Sequence, residues 1–332
     1  MALIGPVRFH GKYGFINAKG EWVIAPTFEE LGEMREGLAS FAVADKLGFI
    51  NEHNEVVIEP RFNIPRGGCW ACGFSEGLAS VQLAQWMGYI NTAGESVIRL
   101  EPDALGWDFV QGRAIVSSFG FTVIDKTGQR LAKLEVHDIL YFSHWPKNWD
   151  CFVCLFFRRD NFLAGAINWR GEIVFPPKYA GLGDFFDGVA MFAVEEDHRY
   201  FGPQGLVRID EKVVVEPCFR TIGEFSEGLA PACKAKKSCG FINTQGEFVI
   251  PPVYEQALSF QEGLACVTVK GKKGFINPHG DIVIEPRFRR QGSFRDGVAW
   301  VECDGKAGYV DRTGRMIWER PLELDPQSKL WL

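Results

Sequence analysis

Residues 274–288 read Gly-Phe-Ile-Asn-Pro-His-Gly-Asp-Ile-Val-Ile-Glu-Pro-Arg-Phe. Asn277 stands at the first position of a tight turn, where its side chain can cap the backbone two residues on, and Gly280 stands at the fourth position, where a left-handed conformation costs glycine little. The apolar run that follows ends at Pro286, which cannot donate to a strand ladder. The stretch therefore predicts a β-hairpin with a bulge, whose second strand stops at the proline.

The same stretch recurs along the chain. Its Gly-aromatic-Ile/Val-Asn/Asp opening begins at Gly14, Gly48, Gly88, Gly240, Gly274 and Gly308. Looser copies of the turn stand at Asp125, Asn168 and Asp210, and Asn54 replaces the turn glycine once. A further motif, aromatic-x-acid-Gly-apolar-Ala, opens another alternating strand, as in 260–265. Each unit is thus predicted to be a three-stranded meander, which buries too little to stand alone and must share a core with its neighbours.

These repeats predict an all-β fold, a tandem array of about nine three-stranded antiparallel β-meander repeats. An open superhelical array is preferred over a closed propeller for two reasons. Propeller blades usually have four strands, and the two ends of the chain do not look like parts of one shared blade. No linker divides the sequence, so one continuous array over 1–332 is expected. Regular repeats fill 11–128 and 166–320, and 129–165 is a diverged repeat.

The combined pattern Gly-Phe-Ile-Asn-x-x-Gly-Glu-x-Val-Ile-x-Pro-x-Phe, followed by Phe-x-Glu-Gly-Leu-Ala, resembles the WG-repeat family of bacterial proteins. The resemblance covers nearly the whole chain. It departs at the family's tryptophan, since the residue before the glycine is Tyr13, Leu47, Met87, Cys239, Lys273 or Ala307. The resemblance implies a repeat scaffold and no particular activity or catalytic motif.

Composition narrows the class of protein. The 332 residues carry a formal charge of −6 and show no clustered basic footprint in sequence, so a nucleic-acid partner is not expected. No apolar window is long enough for a membrane helix, and residues 1–13 lack the features of a secretory leader. Nine cysteines without such a leader predict free, mostly buried thiols in a reducing compartment, and therefore a cytoplasmic location.

Motifs for catalysis are absent from the sequence. There is no P-loop, no His-Glu-x-x-His and no Gly-x-Ser-x-Gly, so the chain is predicted not to be an enzyme and to need no cofactor. The acids that recur before glycine suggest a carboxylate cluster at first sight, but their periodic recurrence favours a role in shaping turns. They are Glu36, Glu76, Asp187, Glu227, Glu262 and Asp296.

Two alternatives to a plain scaffold remain open. A zinc-binding protein or enzyme could be centred on the pairs Cys69/Cys72 and Cys151/Cys154, although the second pair lies in the strand-like run 151–157, where residues three apart point to opposite faces. Buried structural thiols are the competing interpretation, and no metal ligand is predicted. A carbohydrate or cell-wall-glycan binder would need exposed tryptophans lining a groove, drawn from Trp70, Trp86, Trp107, Trp145 and Trp149.

The diverged repeat is the predicted partner-binding site. It loses the Glu-Gly-Leu-Ala opening and is rich in aromatic and arginine residues, the composition of binding hot spots. The alternative is a decayed repeat whose aromatics fill the core. The predicted site residues are Tyr141, Phe142, Trp145, Trp149, Arg158 and Arg159.

The predicted function is a macromolecule-binding scaffold, most simply one for another protein. A specific form is an immunity-type neutraliser of a toxic basic protein in the cytoplasm, suggested by the family and the acidic charge. The sequence names neither the partner nor the oligomeric state.

Overall fold

The computed structural model describes residues 3–63, 73–83, 86–101, 104–117, 120–134, 139–142, 152–158, 161–194 and 202–322. Every regular element in these ranges is a β-strand, which confirms the all-β prediction. No helix there is long and apolar enough to cross a membrane. The chain divides into two compact units, one of Met1–Asn17 and Glu21–Pro177, the other of Ala18–Gly20 and Lys178–Leu332.

The sheets of the first unit follow one another along the chain, and their strands pair in chain order. One sheet holds β1 (Ile4–Phe9), β2 (Lys12–Ile16) and β3 (Trp22–Phe28). A six-stranded sheet holds β4 (Leu38–Val43), β5 (Lys46–Asn51), β6 (Val56–Asn63), β7 (Leu78–Leu83), β8 (Trp86–Asn91) and β9 (Ser96–Arg99). The next holds β10 (Leu105–Gly106), β11 (Arg113–Ser117), β12 (Phe121–Asp125) and β13 (Arg130–Leu134). The last holds β14 (Ile139–Phe142), β15 (Phe152–Arg158), β16 (Asn161–Ile167) and β17 (Ile173–Tyr179).

The second unit contains four sheets of four strands each. The first is β18 (Gly181–Leu182), β19 (Val189–Ala193), β20 (Gln204–Arg208) and β21 (Val213–Phe219). The second is β22 (Thr221–Ile222), β23 (Ala230–Ala235), β24 (Ser238–Ile242) and β25 (Phe248–Tyr254). The third is β26 (Gln256–Ala257), β27 (Ala265–Val269), β28 (Lys272–Ile276) and β29 (Ile282–Phe288). The fourth is β30 (Arg290–Gln291), β31 (Val298–Cys303), β32 (Lys306–Asp311) and β33 (Met316–Pro321).

Each sheet has two chemically different ends, because its strands are antiparallel. Strand β27 starts after the Glu262-Gly263 turn, runs to the hairpin tip at 270–271 and returns as β28 to the turn that begins at Asn277. The Glu-Gly turn and the Asn-x-x-Gly turn therefore lie together at what we call the turn end. The hairpin tip lies at the opposite end, which we call the tip end.

The prediction of three-stranded units in an open superhelical array is wrong. Six sheets of the described chain have four antiparallel strands, the blade unit of a β-propeller, which was the alternative set aside on the sequence. The missed strand in most of these sheets has only two residues, such as Gln256–Ala257, and shows no alternation that a pattern could reveal. The prediction that the two ends of the chain are not joined is also wrong, since the first turn, Ala18–Gly20, belongs to the same compact unit as the last sheets.

Neighbouring repeats complete each other's core through pairs of aromatic rings. The aromatic residue of Gly-aromatic-Ile meets the aromatic residue that opens the next Glu-Gly motif, edge to face and fully buried. Ring centroids are 5.0 Å apart for Phe49 and Phe74, and 4.7 Å apart for Phe275 and Phe294. The prediction that repeats share an interior is confirmed for these neighbours.

A second contact between neighbours involves the glycine of the Asn-x-x-Gly turn. Gly280 packs on Ile250 of the preceding sheet, where an added methyl group would lie 3.4 Å from the isoleucine side chain, and Gly314 packs on Ile284 in the same way. Within the second unit Gly20 lies against β33, where an added methyl group would overlap the backbone carbonyl of Ile317 and lie 3.2 Å from Cβ of Trp318, the residue that corresponds to Ile284. The first turn of the chain thus stands where a next repeat would stand, and this contact contradicts the open array.

Candidate functional site

The Asn-x-x-Gly turns use their polar groups for their own structure. Asn243 Oδ1 accepts hydrogen bonds from the backbone N–H groups of Gln245 and Glu247, at 3.0 and 2.9 Å, and Gly246 adopts a φ of 80°. Asn243 Nδ2 also donates to the Glu247 carboxylate, at 3.1 Å. Asn54, which replaces the glycine, tolerates a φ of 64°. The capping predicted from the sequence is confirmed, and the side-chain amide of Asn243 is occupied by hydrogen bonds within its own turn.

The Glu-Gly pairs form two-residue hairpin turns in which both residues have positive φ. Glu262 and Gly263 have φ values of 53° and 74°, and Gln261 and Leu264 exchange both backbone hydrogen bonds across them. This is the type I′ geometry that fits the twist of a hairpin. The predicted turn-shaping role of the recurring acids is confirmed here.

The same acids also clamp consecutive repeats, a role that sequence reasoning missed. The Glu262 carboxylate accepts hydrogen bonds from the backbone N–H groups of Asp296 and Gly297, at 2.7 and 2.9 Å. Glu36 holds the turn of Glu76 and Gly77 equally, at 2.7 and 2.8 Å. The signal in the sequence was the recurrence of glutamate before the glycine, where type I′ turns favour Asn, Asp or Gly.

The clamp at Glu76 should make stability depend on pH. Burial opposes ionisation of Glu76, but the Gly112 N–H at 2.9 Å and the Lys126 ammonium at 3.1 Å outweigh it and lower the pKa of the carboxyl below its ordinary value. A lowered pKa in the folded state stabilises the fold above the unfolded pKa, and this stabilisation is lost as the pH falls through the folded value.

We expect Glu76→Gln to lower the free energy of unfolding by about 1 kcal/mol at pH 7. The difference from wild type should shrink between pH 7 and pH 2.5, as the pH falls through the lowered pKa of the folded wild-type carboxyl. Urea unfolding followed by tryptophan fluorescence at both pH values measures it. Glu52→Gln, on an exposed turn, removes the same charge and should change neither midpoint, and a loss at Glu76 that persisted undiminished at pH 2.5 would contradict the ionic clamp.

The tip ends of the second unit carry an unusual concentration of lysine. Two neighbouring hairpin tips, between β23 and β24 and between β27 and β28, supply six lysines that we call the lysine surface: Lys234, Lys236, Lys237, Lys270, Lys272 and Lys273. The turn ends of the same sheets carry the acids Glu227, Glu247, Glu262 and Asp281. The two ends of these sheets therefore have opposite charge.

The predicted partner-binding residues fall mostly outside the part that can be described. The backbone of Tyr141 and Phe142 lies in β14, and that of Arg158 ends β15. Trp145, Trp149 and Arg159 lie outside the described residues. The backbone of the diverged repeat nevertheless keeps the regular sheet order β14-β15-β16-β17, so the repeat persists where its sequence motif does not. The site itself stays a prediction.

The cysteines differ from the prediction of free thiols. Cys233 and Cys239, which face each other on β23 and β24, form a disulfide, whereas Cys218, Cys266 and Cys303 are free. Burial raises the pKa of Cys266 to about 11, so its thiol stays protonated. The prediction was therefore wrong for one pair, and the cytoplasmic location that rested on free thiols stays a prediction.

The zinc and glycan alternatives gain no support from the described part of the chain. No group of three or more His, Cys, Asp or Glu residues there is placed to hold a metal ion. Cys69, Cys72 and Cys151 lie outside the described residues, and only the backbone position of Cys154, in β15, is known.

Two of the five tryptophans proposed to line a glycan groove, Trp86 and Trp107, are among the described residues, and both pack against other side chains. The Arg99 guanidinium covers Trp86, 5.1 Å from the ring centroid, and Trp107 packs near Phe121 beside a buried cluster. Trp70, Trp145 and Trp149 lie outside the described residues. Both alternatives remain untested hypotheses.

Solved structures resemble this chain in fold. A structure reported as that of the eukaryotic initiation factor is 11% identical, with a TM-score of 0.63, and the match covers 93% of each chain. At this identity the likeness shows the fold alone. An uncharacterized protein of Listeria monocytogenes is 12% identical over 92% of this chain and 95% of its own, with a TM-score of 0.42. Hsv2p of Kluyveromyces lactis is 9% identical over 89% of this chain and 98% of its own, with a TM-score of 0.36.

Sequence comparison identifies the repeat. No curated protein matches the chain. A family described as WG containing repeat matches over 13–46, 48–64, 165–197, 205–237, 240–272 and 274–306, more than half of the residues. The matched segments coincide with the motifs that form the hairpins, the clamps and the shared aromatic core. This chain belongs to the family of WG-containing repeat proteins.

Proposed function

We propose that this protein is a non-catalytic scaffold that binds another protein. Family membership and the repeat fold support a scaffold. The recurring acids and amides, which are the groups that could otherwise serve chemistry, are held by backbone N–H groups of turns, as at Asn243 and Glu262. The repeated positions thus maintain the fold, and the surface between them is available for recognition.

The observation that carries the proposal is a set of exposed aliphatic side chains on the strand that follows the Asn-x-x-Gly turn in successive repeats. In the second unit Val249 is 51% exposed and directly precedes the buried Ile250. Ile282 is 47% exposed and lies two residues before the buried Ile284. The first unit repeats the pattern at Val56, Val57, Val97 and Ile173. Apolar side chains that recur on solvent-facing edges are typical of surfaces that contact other proteins.

The test is the composition of the native complex. Tagged full-length chain, purified from cells that naturally express it, should carry a second protein at a fixed stoichiometry, measured by light scattering after size exclusion. Val249→Asp with Ile282→Asp should release that protein at least tenfold more readily if the edges are the contact, whereas Lys178→Glu should not. A chain that purifies alone under every condition would refute the scaffold.

The finer form of this proposal is an immunity-type neutraliser of a toxic basic protein in the cytoplasm. It is supported by the net charge of −6 and by exposed carboxylates at the turn ends, such as Glu52, Glu95 and Glu172 in the first unit. A basic partner should then dissociate as salt rises, because exposed charges are screened. A complex indifferent to salt and to Glu52→Lys with Glu95→Lys would exclude this form.

A further inference from the structure

We propose that the lysine surface, together with the exposed Val253 beside it, binds an acidic segment of a partner protein. The proposal rests on the protein-binding function above and names the chemistry of one contact. It concerns the tip end of the second unit, which is distinct from the acidic turn ends and from the diverged repeat.

The two lysine tips are held side by side by a single link of the chain. Glu255 and Gln256 connect β25 to β26 between the tips. Lys237 Nζ lies 3.4 Å from the Glu255 carboxylate, and Lys273 Nζ lies 3.4 Å from Gln256 Oε1. Lys237 and Lys273 therefore join the two tips, and the other four lysines lie on the same two tips.

The lysine surface is positively charged, whereas the net charge of the whole chain is negative. The chain as a whole is acidic, at −6, yet Lys236, Lys270 and Lys272 are exposed and form no salt bridge with a described residue. Arg289 and Arg290, on the next link, are exposed at the same end, and Arg290 lies 3.7 Å from the Glu302 carboxylate. Like charges held together repel, so the cluster costs stability unless an anion occupies it.

The backbone fixes the cluster in place. The disulfide between Cys233 and Cys239 closes the base of the first tip, and the Lys234 ammonium lies 5.3 Å from the ring centroid of Phe248. Lys237 adopts a φ of 63° at the turn itself. A backbone held in this way loses little conformational entropy when a partner binds.

An exposed apolar group at its edge favours a protein segment over a polyphosphate. Val253 is 70% exposed. Its neighbour Pro252 accepts a hydrogen bond on its carbonyl from Ser238 Oγ, at 3.2 Å, and Ser238 directly follows Lys237. Val253 itself is two residues before Glu255 of the link. An apolar anchor within a charged rim is how protein interfaces are built. Single-stranded nucleic acid instead uses stacked aromatics, and a long polyanion would meet the acidic remainder of the chain.

The probe is a fluorescent twelve-residue peptide of alternating Glu and Leu, titrated into the full-length oxidised protein at low salt. Lys236→Glu with Lys270→Glu and Lys272→Glu should weaken its binding at least about tenfold. Val253→Asp should weaken it several-fold. The matched control, Lys46→Glu with Lys178→Glu and Lys212→Glu, makes the same change in net charge on other exposed lysines and should bind within about twofold of wild type.

Three outcomes would overturn the proposal. In the first, both triple variants lose binding equally, which makes the effect one of net charge. In the second, a twelve-nucleotide RNA or phosphatidylserine vesicles bind the wild-type surface while the acidic peptide does not. A stoichiometric native partner that the first triple variant retains would also overturn the proposal, while leaving the scaffold function intact, so the two failures can be told apart. Circular dichroism of each variant establishes that it is folded.

Discussion

Replacing Gly20 with alanine is expected to lower the free energy of unfolding by about 3 kcal/mol, from about 1–2 kcal/mol for the left-handed backbone and a further 1–3 kcal/mol for overpacking. Gly20 has a φ of 82°, and a methyl group there would overlap the carbonyl oxygen of Ile317 in the last strand. Backbone cannot move aside as a flexible side chain does, so the first turn would be pushed off the last sheet. Urea unfolding followed by fluorescence measures the loss.

Gly11 provides the matched control for this substitution. Its φ is 83°, nearly the same as that of Gly20, but nothing lies within 4 Å of a methyl group placed there. Gly11→Ala should therefore cost only the backbone term, about 1–2 kcal/mol. The difference between the two variants isolates the contact of the first turn with the last sheet. Equal losses would mean that this contact contributes nothing to stability.

Truncating Phe294 to alanine is expected to cost about 3–5 kcal/mol, the usual loss for a buried aromatic residue. Phe294 is fully buried and meets the ring of Phe275 from the preceding repeat, so its removal leaves a cavity between two sheets. The same measurement applies, and the loss should appear chiefly in the unfolding of the second unit.

Two further variants show whether the loss comes from the cavity. Phe294→Leu keeps most of the volume and should cost less than about 1.5 kcal/mol. Val253→Ala, at a side chain that is 70% exposed, should change stability by less than about 0.5 kcal/mol. If Phe294→Ala cost no more than Val253→Ala, the aromatic pairs would not be the core that joins neighbouring repeats.

Local chemistry made much of the fold predictable. A turn such as that of Asn243 depends on residues within four positions of it, and its capping followed directly from the sequence. The sharing of cores between repeats was predictable for the same reason, since it rests on the small size of each unit. The prediction that the strand stops at the proline was wrong: β29 continues past Pro286 to Phe288, because a proline is tolerated on the edge strand of a sheet. For the recurring acids, the sequence predicted the turn-shaping role but not the clamp. The backbone that Glu262 clamps, at Asp296 and Gly297, belongs to the next repeat.

The candidate site was harder to predict than the fold. The lysines of the lysine surface are ordinary residues at hairpin tips, and 34 positions separate Lys236 from Lys270. The link at Glu255 and Gln256 brings the two tips together. The diverged repeat attracted attention because its composition differs, which is a signal that a sequence can show, and its role as a binding site remains a prediction.

From the sequence followed the all-β class, the position of most Asn-x-x-Gly turns, the family and the need of each repeat for a neighbour, since turn chemistry and hydrophobic periodicity act over a few residues. The turn predicted at Asp210 begins instead at Arg208 and has Glu211 at the position of positive φ. The tertiary structure alone decided that most sheets have four strands, that Gly20 packs on Ile317, and that lysines from separate repeats form one surface. These features depend on contacts between residues far apart in the chain, and no local preference encodes them.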